Sequence, residues 1–263
     1  MIMQEFKKID HTLNESEMLQ LVRGLVYAYQ HEGGILPDYF GKILQVSDNN
    51  SKANFGTVNM PSLVTCLIGL DCNKVCYACN GRFVMDSVEI PRLSNLLLWL
   101  TDPESYEMQL RVQMMTRKVV RINDSGDIPS YEYAEMIYRL ALETRCMVHW
   151  FTKKHFIINR LCKTYGENAA TLESKGIIIL FSADPKIVNM VNPYGFKVAD
   201  IVEDSDTLYN GDKIGTTHIC KHGNCMECFV HRVGCFAGLD DIHTVALAIH
   251  AASKASKKEY FGK

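Results

Sequence analysis

The stretch "KVVRINDSGDIPSYEYAEMIYRLALETRCMVHWFTK", residues 118 to 153, decides the fold class of the chain. Its two ends, KVVRIND and CMVHWFTK, carry the β-branched and aromatic residues typical of strands. Between them, Ser130 is suited to cap a helix. The apolar face of that helix has a helical period and comprises Ala134, Ile137, Tyr138 and Ala141. Strand, helix and strand in this order predict a βαβ unit of a parallel sheet.

The same alternation continues toward the C-terminus. Residues 155–166, "HFIINRLCKTYG", predict a helix that ends at Gly166. Residues 175–184, "KGIIILFSAD", are continuously apolar, as in a buried parallel strand. Residues 196–204, "FKVADIVED", predict one more strand. We therefore expect an α/β fold built on a parallel sheet.

Helices and a further strand are predicted before this unit. Asn14 and Glu17 form a capping box at the start of an N-terminal helix. Residues 88–116 predict one or two helices, interrupted at Thr101-Asp102-Pro103. The apolar run "PSLVTCLIGL", residues 61–70, follows a polar, turn-rich loop and predicts a strand that leads into a group of cysteines.

Composition limits the class of protein. The chain has 263 residues, of which 47% are hydrophobic and 22% charged, as in a globular protein of one large or two small domains. Its formal net charge of −2 provides no overall attraction to nucleic acid or acidic lipid. No apolar run is long enough to span a membrane, and the N-terminus lacks the apolar stretch of a signal peptide. These features predict a cytoplasmic protein with no membrane partner.

The placement of the cysteines indicates metal binding. The first group comprises Cys66, Cys72, Cys76 and Cys79, and the second comprises Cys220, Cys225, Cys228 and Cys235. Cys146 and Cys162 lie outside both groups, and we expect them to be buried apolar residues. Closely spaced cysteines in a reducing compartment usually bind metal, whereas disulfide bonds are the alternative for a secreted chain.

Polar residues follow each predicted strand. They lie in the first cysteine group, in "NDSGD" at 123–127, in "TKKH" at 152–155 and in "SADPK" at 182–186. Because the carboxyl ends of parallel strands meet at one edge of a sheet, we expect these segments to line a single site. Lys153 and Asp184 are the candidate catalytic residues in contact with the substrate there. Taken singly, each segment is equally compatible with an ordinary turn or helix cap.

The spacing Cys72-x3-Cys76-x2-Cys79 is compatible with two kinds of metal centre. A closed zinc site needs four ligands, and Cys66 is available as the fourth. A [4Fe-4S] cluster held by three cysteines leaves one iron free for a cofactor or substrate. The three-cysteine spacing resembles the radical S-adenosylmethionine superfamily, and that resemblance implies a partial (β/α) barrel, an iron–sulfur cluster and S-adenosylmethionine.

The resemblance to that superfamily also implies roles for residues near the cysteines. Ser125, Gly126 and Asp127 match an acidic, glycine-containing motif that holds the amino group of the cofactor. Tyr77 matches its aromatic cofactor-binding residue, one position earlier in the loop, and Ala78 stands in the usual place. One-electron reduction of S-adenosylmethionine would require an electron donor as a partner.

A narrower resemblance covers more of the chain. It is carried by "NNSKANF" at 49–55, "TCLIGLDCNKVCYACNGRF" at 65–83, "RINDSGDIPSYEYAEMIYRLA" at 121–141, "FTKKH" at 151–155 and "HTVALAIH" at 243–250. These segments are similar to the gene product 88-like domain family of bacteriophages and their relatives. The resemblance implies a phage or prophage origin, hence the host bacterial cytoplasm, and no particular reaction. It implies ligands at Cys66, Cys72 and Cys76, so the set of three is either this one or Cys72, Cys76 and Cys79.

The second cysteine group, "CKHGNCMECFVHRVGC" at 220–235, has enough ligands for a metal site of its own. Zinc and an auxiliary iron–sulfur cluster both fit it, and a closed shell of four thiolates favours a structural role. His222 and His231 are alternative ligands or outer-sphere residues. The predicted organisation is a helical segment at 1–42, a single α/β metal-binding domain at 43–250 and a basic tail at 251–263.

Two functions follow from these features. The first is a radical S-adenosylmethionine-like iron–sulfur enzyme that acts on an unidentified small molecule or nucleic acid. The second is a non-catalytic zinc protein whose two cysteine sites stabilise a surface for protein or nucleic acid. Basic residues available for that surface are Arg117, Lys118, Arg121, Lys153 and Lys154. A buried, charged Asp127 favours the enzyme, because an unpartnered buried carboxylate is costly.

Overall fold

A computed structural model describes most of the chain, with side chains. It covers residues 13–48, 55–67, 69–70, 72, 76–79, 81–184, 191–202, 217–220, 225–239 and 244–248. The strands are β1 Val46–Ser47, β2 Gly56–Val58, β3 Val119–Ile122, β4 Met147–Thr152, β5 Ile177–Ser182, β6 Lys197–Val202, β7 Thr217–Cys220 and β8 Thr244–Ala248. The helices are α1 Glu15–His31, α2 Asp86–Thr101, α3 Pro103–Met115, α4 Tyr131–Thr144, α5 His155–Tyr165, α6 Ala169–Ser174 and α7 Cys225–His231. His222, predicted as an alternative ligand, lies outside the described residues.

The strands form one open, mostly parallel sheet. Their order is β1-β2-β3-β4-β5-β6-β8-β7. β1 pairs antiparallel with β2, and every other neighbouring pair is parallel. The α/β class and the parallel sheet predicted from the sequence are thereby confirmed. Within the described residues, no helix has the length and apolar composition that crossing a bilayer requires.

Helices α1 to α6 cover one face of the sheet. Side chains alternate between the two faces of a strand, so Val148 and Trp150 of β4 lie on the helical side. Buried residues of all six helices pack in the same cluster, among them Val22 of α1 and Leu172 of α6. An aromatic group at its centre includes Tyr106 and Tyr133, whose hydroxyls are hydrogen-bonded at 3.0 Å. Most of the buried apolar residues that the structure describes belong to this face.

The opposite face is covered by the C-terminal cysteine-rich segment. The alternate residues of the strands, including Val119, Ile178 and Leu180, form a second core with Phe236. Residues of α7 pack against it, among them Met226, Phe229 and two of the cysteines. The second cysteine group therefore lies against the sheet instead of projecting from it.

Several local predictions are confirmed because the signals are strong and local. The Asn14 side chain accepts a hydrogen bond from the Glu17 N–H, and Glu17 accepts one from the Asn14 N–H, which is the predicted capping box. α2 ends at Thr101 and α3 begins at Pro103, as expected. Ser130 caps α4, and Gly166 ends α5 in the left-handed conformation.

The strand predicted in residues 61–70 is wrong. The strand that precedes the cysteines is β2, three residues long, within the stretch predicted as a loop. The described residues from Pro61 onward form turns instead. Leu63 has a φ of +67°, and the Thr65 hydroxyl donates a hydrogen bond to the Pro61 carbonyl, so the apolar run curls over the end of the sheet. Leu63 and Val64 are buried in this curled form, whereas Leu67 and Leu70 are half-buried.

Candidate metal centre at the carboxyl edge of the sheet

Four polar segments meet where β2, β3, β4 and β5 end. Each is linked to another through hydrogen bonds. The Ser125 hydroxyl donates to the Met60 carbonyl at 3.1 Å, which links the segments after β3 and β2. His155 Nε2 lies 3.1 Å from the Ser182 carbonyl oxygen, which links those after β4 and β5. The structure thus brings together the four segments that the sequence places after successive strands.

Gly126 lets the turn after β3 approach the turn after β2. Its φ is +73°, and a Cβ at this position would lie 2.6 Å from the Met60 carbonyl oxygen and 2.7 Å from Thr65 Oγ1. The Thr65 hydroxyl accepts a hydrogen bond from the Asp127 N–H at 2.9 Å. The Ser125-Gly126-Asp127 turn therefore supports the segment that leads directly into Cys66.

The Asp127 carboxylate is the centre of a buried hydrogen-bond network. It accepts hydrogen bonds from the Thr152 hydroxyl at 2.6 Å, the Lys153 N–H at 2.9 Å and the Ile128 N–H at 2.7 Å. These donors offset the cost of burying the charge. The carboxylate thus has partners and joins the ends of β3 and β4. The prediction that a buried, unpartnered Asp127 favours an enzyme is therefore weakened.

Two further side chains of the segment after β4 are buried. Lys154 is fully buried, and its Nζ donates a hydrogen bond to the Ile128 carbonyl at 2.6 Å. Burial lowers the pKa of Lys154 although Asp127 and Cys66 attract its charge. The His155 ring stacks on Phe181 with 4.4 Å between centroids. Burial likewise lowers the pKa of His155.

Asp184, after β5, holds the first cysteine group. Its Oδ2 accepts a hydrogen bond from the Cys72 N–H at 2.9 Å, and Asp184 is buried. The far end of the loop is fixed by Arg92 of α2, which lies over the Phe83 ring at 5.1 Å and donates to the Phe83 carbonyl. The cysteine group is thus attached to the sheet at one end and to α2 at the other.

The thiols of the first group are close enough to influence one another. Burial, with smaller contributions from Asp127 and then Cys76, raises the pKa of Cys66 to about 12. Burial also raises the pKa of Cys72, where Asp184, Cys66 and Cys76 add to the effect. A hydrogen bond with Cys79 and burial raise the pKa of Cys76. Cys66, Cys72 and Cys76 form a mutually interacting set, and Cys79 is connected to it through Cys76.

The Lys153 ammonium group lies within this charged environment. Burial alone would lower its pKa, but Cys72, Asp184, Asp127 and Cys66 outweigh that effect and raise it. A cation beside thiolates and carboxylates stabilises their negative charge. Lys153 and Asp184, the two predicted catalytic residues, are therefore both at the cysteine group. The Tyr77–Cys79 segment is a 3-10 turn.

Asn123 adds an unsatisfied polar group at the same edge. It follows β3, has a φ of +57° and is buried. Neither its amide nitrogen nor its amide oxygen has a hydrogen-bond partner within the described part of the chain. Buried amides in folded proteins are rarely unpaired, so this position is suited to a polar group of a ligand.

The second cysteine group also brings its thiols together. Cys220 ends β7, Cys225 begins α7, and Cys235 lies in a 3-10 turn. Burial, with smaller contributions from Cys220, Cys225 and Cys228, raises the pKa of Cys235 to about 12. The other three predicted ligands therefore all lie near Cys235. As the side chains stand, no three His, Cys, Asp or Glu residues of the described chain are placed to hold a metal ion.

A cavity of about 280 Å³ lies elsewhere, at the opposite end of the sheet. It is lined by Asp48, Phe55, Gly56, Arg117, Lys118, Val119 and Met226. Gly56 and Val119 are the first residues of β2 and β3, so the cavity is at the amino ends of the strands. Arg117 is the arginine that lines this cavity, and its guanidinium group forms an ion pair with Asp48. The candidate site therefore lies at the carboxyl edge of the sheet, where the thiols and the buried charges are.

Comparison with known protein families identifies the chain. Residues 41–210 match the profile of the gene product 88 family. The chain belongs to this family. The match includes the first cysteine group and the four segments at the carboxyl edge, and it ends before Cys220. Comparisons with curated proteins and with solved structures returned no match. The family expected from the sequence is confirmed, and the relation to radical S-adenosylmethionine proteins gains no support from these comparisons.

Some residues of the carboxyl edge were not singled out from the sequence. Thr65 and Thr152 donate or accept the hydrogen bonds that connect the segments. A hydroxyl residue at the end of a strand, such as Thr152, indicates a hydrogen bond at that edge. The sequence does not show its partner, because the partner depends on which strands are adjacent. His149, inside β4, was also missed. Its position alternates with Val148 and Trp150, which predicts that it faces away from the six helices.

Proposed function

We propose that this member of the gene product 88 family is an iron–sulfur enzyme related to radical S-adenosylmethionine proteins, with its cluster held by the first cysteine group. The observation that supports the proposal is the mutual interaction of Cys66, Cys72 and Cys76 beside Lys153 and Asp184. This group lies at the carboxyl edge of a parallel sheet, where α/β proteins bind their ligands. In this proposal the open sheet with helices on one face corresponds to a partial barrel.

The donor set fits a thiolate-bound cluster. Iron–sulfur clusters are held by cysteine thiolates, and four are available in one loop region. We propose that Cys66, Cys72 and Cys76 are the ligands, because each of these thiols interacts with the other two. Cys79, which is hydrogen-bonded to Cys76, is then available near the cluster without being required as a ligand.

When held by Cys66, Cys72 and Cys76, a [4Fe-4S] cluster would supply the one-electron reduction that cleaves S-adenosylmethionine to methionine and a 5'-deoxyadenosyl radical, with the electron coming from an external donor. The residues of this chain contribute position and charge. Asp184 fixes the backbone at Cys72, and the Lys153 ammonium offsets the negative charge of the thiolates. We propose that the unpaired Asn123 amide contacts the cofactor or the substrate.

The Ser125-Gly126-Asp127 turn has a supporting role in this proposal. The Ser125 hydroxyl and the Asp127 carboxylate form hydrogen bonds inside the protein. They therefore fix the path of the backbone around the cofactor, and Gly126 keeps that path close to the segment before Cys66. Tyr77 is the proposed aromatic contact of the cofactor.

The decisive experiment measures metal and sulfide in full-length protein purified without oxygen. The proposal predicts iron with acid-labile sulfide and a broad visible absorbance. Cys76→Ala should abolish both, because Cys76 interacts with the other thiols of its group. Cys162→Ala is the matched control, since Cys162 is buried in α5 within the core of the helical face and belongs to neither group, so it should leave the iron content unchanged. Reduced protein should release 5'-deoxyadenosine from S-adenosylmethionine, and a colourless protein with stoichiometric zinc would contradict the proposal.

A zinc protein is the second candidate, and one observation favours it. Four thiols, including Cys66 and Cys79, are connected in the first group, and four thiolates form a closed tetrahedral shell. In that case both cysteine groups stabilise the fold, and the protein binds a macromolecular partner. Single Cys66→Ala and Cys79→Ala variants distinguish the two arrangements. A three-ligand cluster survives one of these substitutions, whereas a closed four-ligand site loses its metal in both.

A further inference from the structure

His149 of β4 lies beneath the second cysteine group with unused hydrogen-bonding capacity. Its side chain is on the face of the sheet opposite the six helices, and the residue is 1% exposed. Neither Nδ1 nor Nε2 has a hydrogen-bond partner within the described part of the chain. A buried polar group without a partner costs free energy, so an imidazole in this position indicates a partner that is not among these side chains.

Aromatic contacts place His149 next to the cysteines. The His149 ring lies 4.6 Å from the Phe236 ring, measured between centroids, and Phe236 directly follows Cys235. The Phe236 ring lies 5.6 Å from that of Phe229, which directly follows Cys228. Cys235 therefore lies in the segment that packs on the histidine, and Cys228 is next to a ring that packs on Phe236.

Two cations frame the same position. Arg121 pairs with His149 in the register of β3 and β4, and its charge also acts on the Cys235 thiol. Lys197 Nζ donates a hydrogen bond to the Cys235 carbonyl at 3.2 Å, and its charge reaches His149. Arg121 offsets part of the burial effect that raises the pKa of the Cys235 thiol, and Lys197, which also pairs with Glu173, fixes the Cys235 backbone.

We propose that His149 is a positioning residue of a metal centre formed by Cys220, Cys225, Cys228 and Cys235, and that its imidazole N–H donates a hydrogen bond to a metal-bound sulfur. The inference rests on the proposed metal binding by the second cysteine group, and it does not depend on what the first group binds. The four thiolates complete a tetrahedral shell, so the histidine is outside it. Outer-sphere donors of this kind orient the ligands of metal sites and strengthen metal binding.

A purely structural role makes a different prediction for His149. The ring is surrounded by Phe55, Phe151 and Phe236, at centroid distances of 6.5, 5.0 and 4.6 Å. Phenylalanine would fill this site and remove two unpaired nitrogens. If packing were the whole role, His149→Phe would be neutral or stabilising and would leave metal binding unchanged.

The test uses full-length protein with Cys72→Ser and Cys76→Ser, in which the second group is the remaining candidate centre. Cobalt(II) alone is the probe, titrated without oxygen, because its absorption bands report both affinity and ligand type. We expect His149→Phe to weaken cobalt binding about 10- to 100-fold with an unchanged tetrathiolate spectrum. His149→Gln, whose amide retains an N–H donor, should recover part of the affinity.

One control shows which cysteine group binds the cobalt, and another shows whether the loss of affinity is specific to His149. Cys225→Ser with Cys228→Ser should abolish binding, which assigns the cobalt to this group. Trp150→Phe removes the buried Nε1 of the neighbouring residue on the opposite face, which has no hydrogen-bond partner among the described residues, and should leave the affinity unchanged. Circular dichroism verifies that each variant folds. Equal affinity in His149→Phe, loss of a nitrogen ligand from its spectrum, or no cobalt binding by the parent would each overturn the proposal.

The iron and sulfide measurement on the unmodified first group is independent of this experiment. Failure of the cobalt test therefore rejects the role of His149 without rejecting the enzyme. Loss of iron on Cys76→Ala, with unchanged cobalt binding by the second group, would support the two proposals separately.

Discussion

The Asp184 carboxylate accepts a hydrogen bond from the Cys72 N–H at 2.9 Å, although 112 residues separate the two in sequence. This contact joins the end of β5 to the first cysteine group. It places a buried negative charge at the backbone of a predicted metal ligand. The position of the cysteine group is therefore coupled to the correct assembly of the sheet.

Asp184→Ala should loosen the first cysteine group. A hydrogen bond to a charged acceptor contributes about 1.5 to 3 kcal/mol, so we expect a loss of this size in the free energy of unfolding. The Cys72 thiol should also react faster with iodoacetamide in the apoprotein. Asp184→Asn retains an acceptor oxygen and should show a smaller loss. Urea unfolding and mass-spectrometric labelling check both effects, and equal labelling in all three proteins would contradict the coupling.

Gly126 and Gly166 provide a matched pair of substitutions. Both have a positive φ, +73° and +67°, so alanine adds backbone strain of about 1 to 2 kcal/mol at each. At Gly166 a Cβ meets nothing within 4 Å, whereas at Gly126 it lies 2.6 Å from the Met60 carbonyl oxygen. We expect Gly126→Ala to lower the free energy of unfolding well beyond Gly166→Ala. Equal losses would show that the turn does not need its close contact with Met60.

Asp127→Ala should be among the most destabilising substitutions at the carboxyl edge. It removes the acceptor of three hydrogen bonds and leaves the Lys153 N–H and the Thr152 hydroxyl without it. We expect a loss of about 3 kcal/mol or more. Thr152→Val removes one of these donors and should cost less. If Asp127→Ala left stability intact but abolished cofactor cleavage, the carboxylate would act on the cofactor instead of supporting the fold.

The elements predicted correctly are those whose signals are local. Asn14 with Glu17 and Thr101-Asp102-Pro103 mark helix boundaries through bonds between residues a few positions apart. β3, α4 and β4 follow from periodicity in the same way. β2 has only three residues, too few to show a period. The apolar run after it has the composition of a strand, but it forms a turn.

The site could be predicted only to the level of segments. The rule that parallel strands end at one edge correctly groups Ser125, Lys153 and Asp184. It does not show that Asp127 has three donors, because these come from neighbouring strands and from its own backbone. His149 was not predicted as a site residue for a related reason. Its position beside the second cysteine group depends on the C-terminal segment, which packs on the same face of the sheet.

Stability of the apoprotein should fall in alkaline solution because of its buried thiols. Burial raises the pKa of Cys162 from 9.0 to about 12. Between these values the unfolded chain loses the proton and the folded chain keeps it, so stability is lost as the pH rises. The expected slope is about 1.4 kcal/mol per pH unit for this group. Cys162→Ala should reduce the slope of urea-derived stability against pH by that amount, and an unaltered slope would contradict the burial effect.

His149 should make the protein sensitive to acid. Burial, with the charges of Arg121 and Lys197, lowers the pKa of His149 well below 6.5. As the pH falls below 6.5, the unfolded chain binds a proton that the folded chain does not, so the stability due to this group is lost toward acid. We expect the loss to approach about 1.4 kcal/mol per pH unit as the pH falls below 6.5. His149→Phe should remove this part of the slope, measured as the difference between the two proteins. A wild-type slope equal to that of the variant would show that His149 is protonated in the folded state, which the two neighbouring cations oppose.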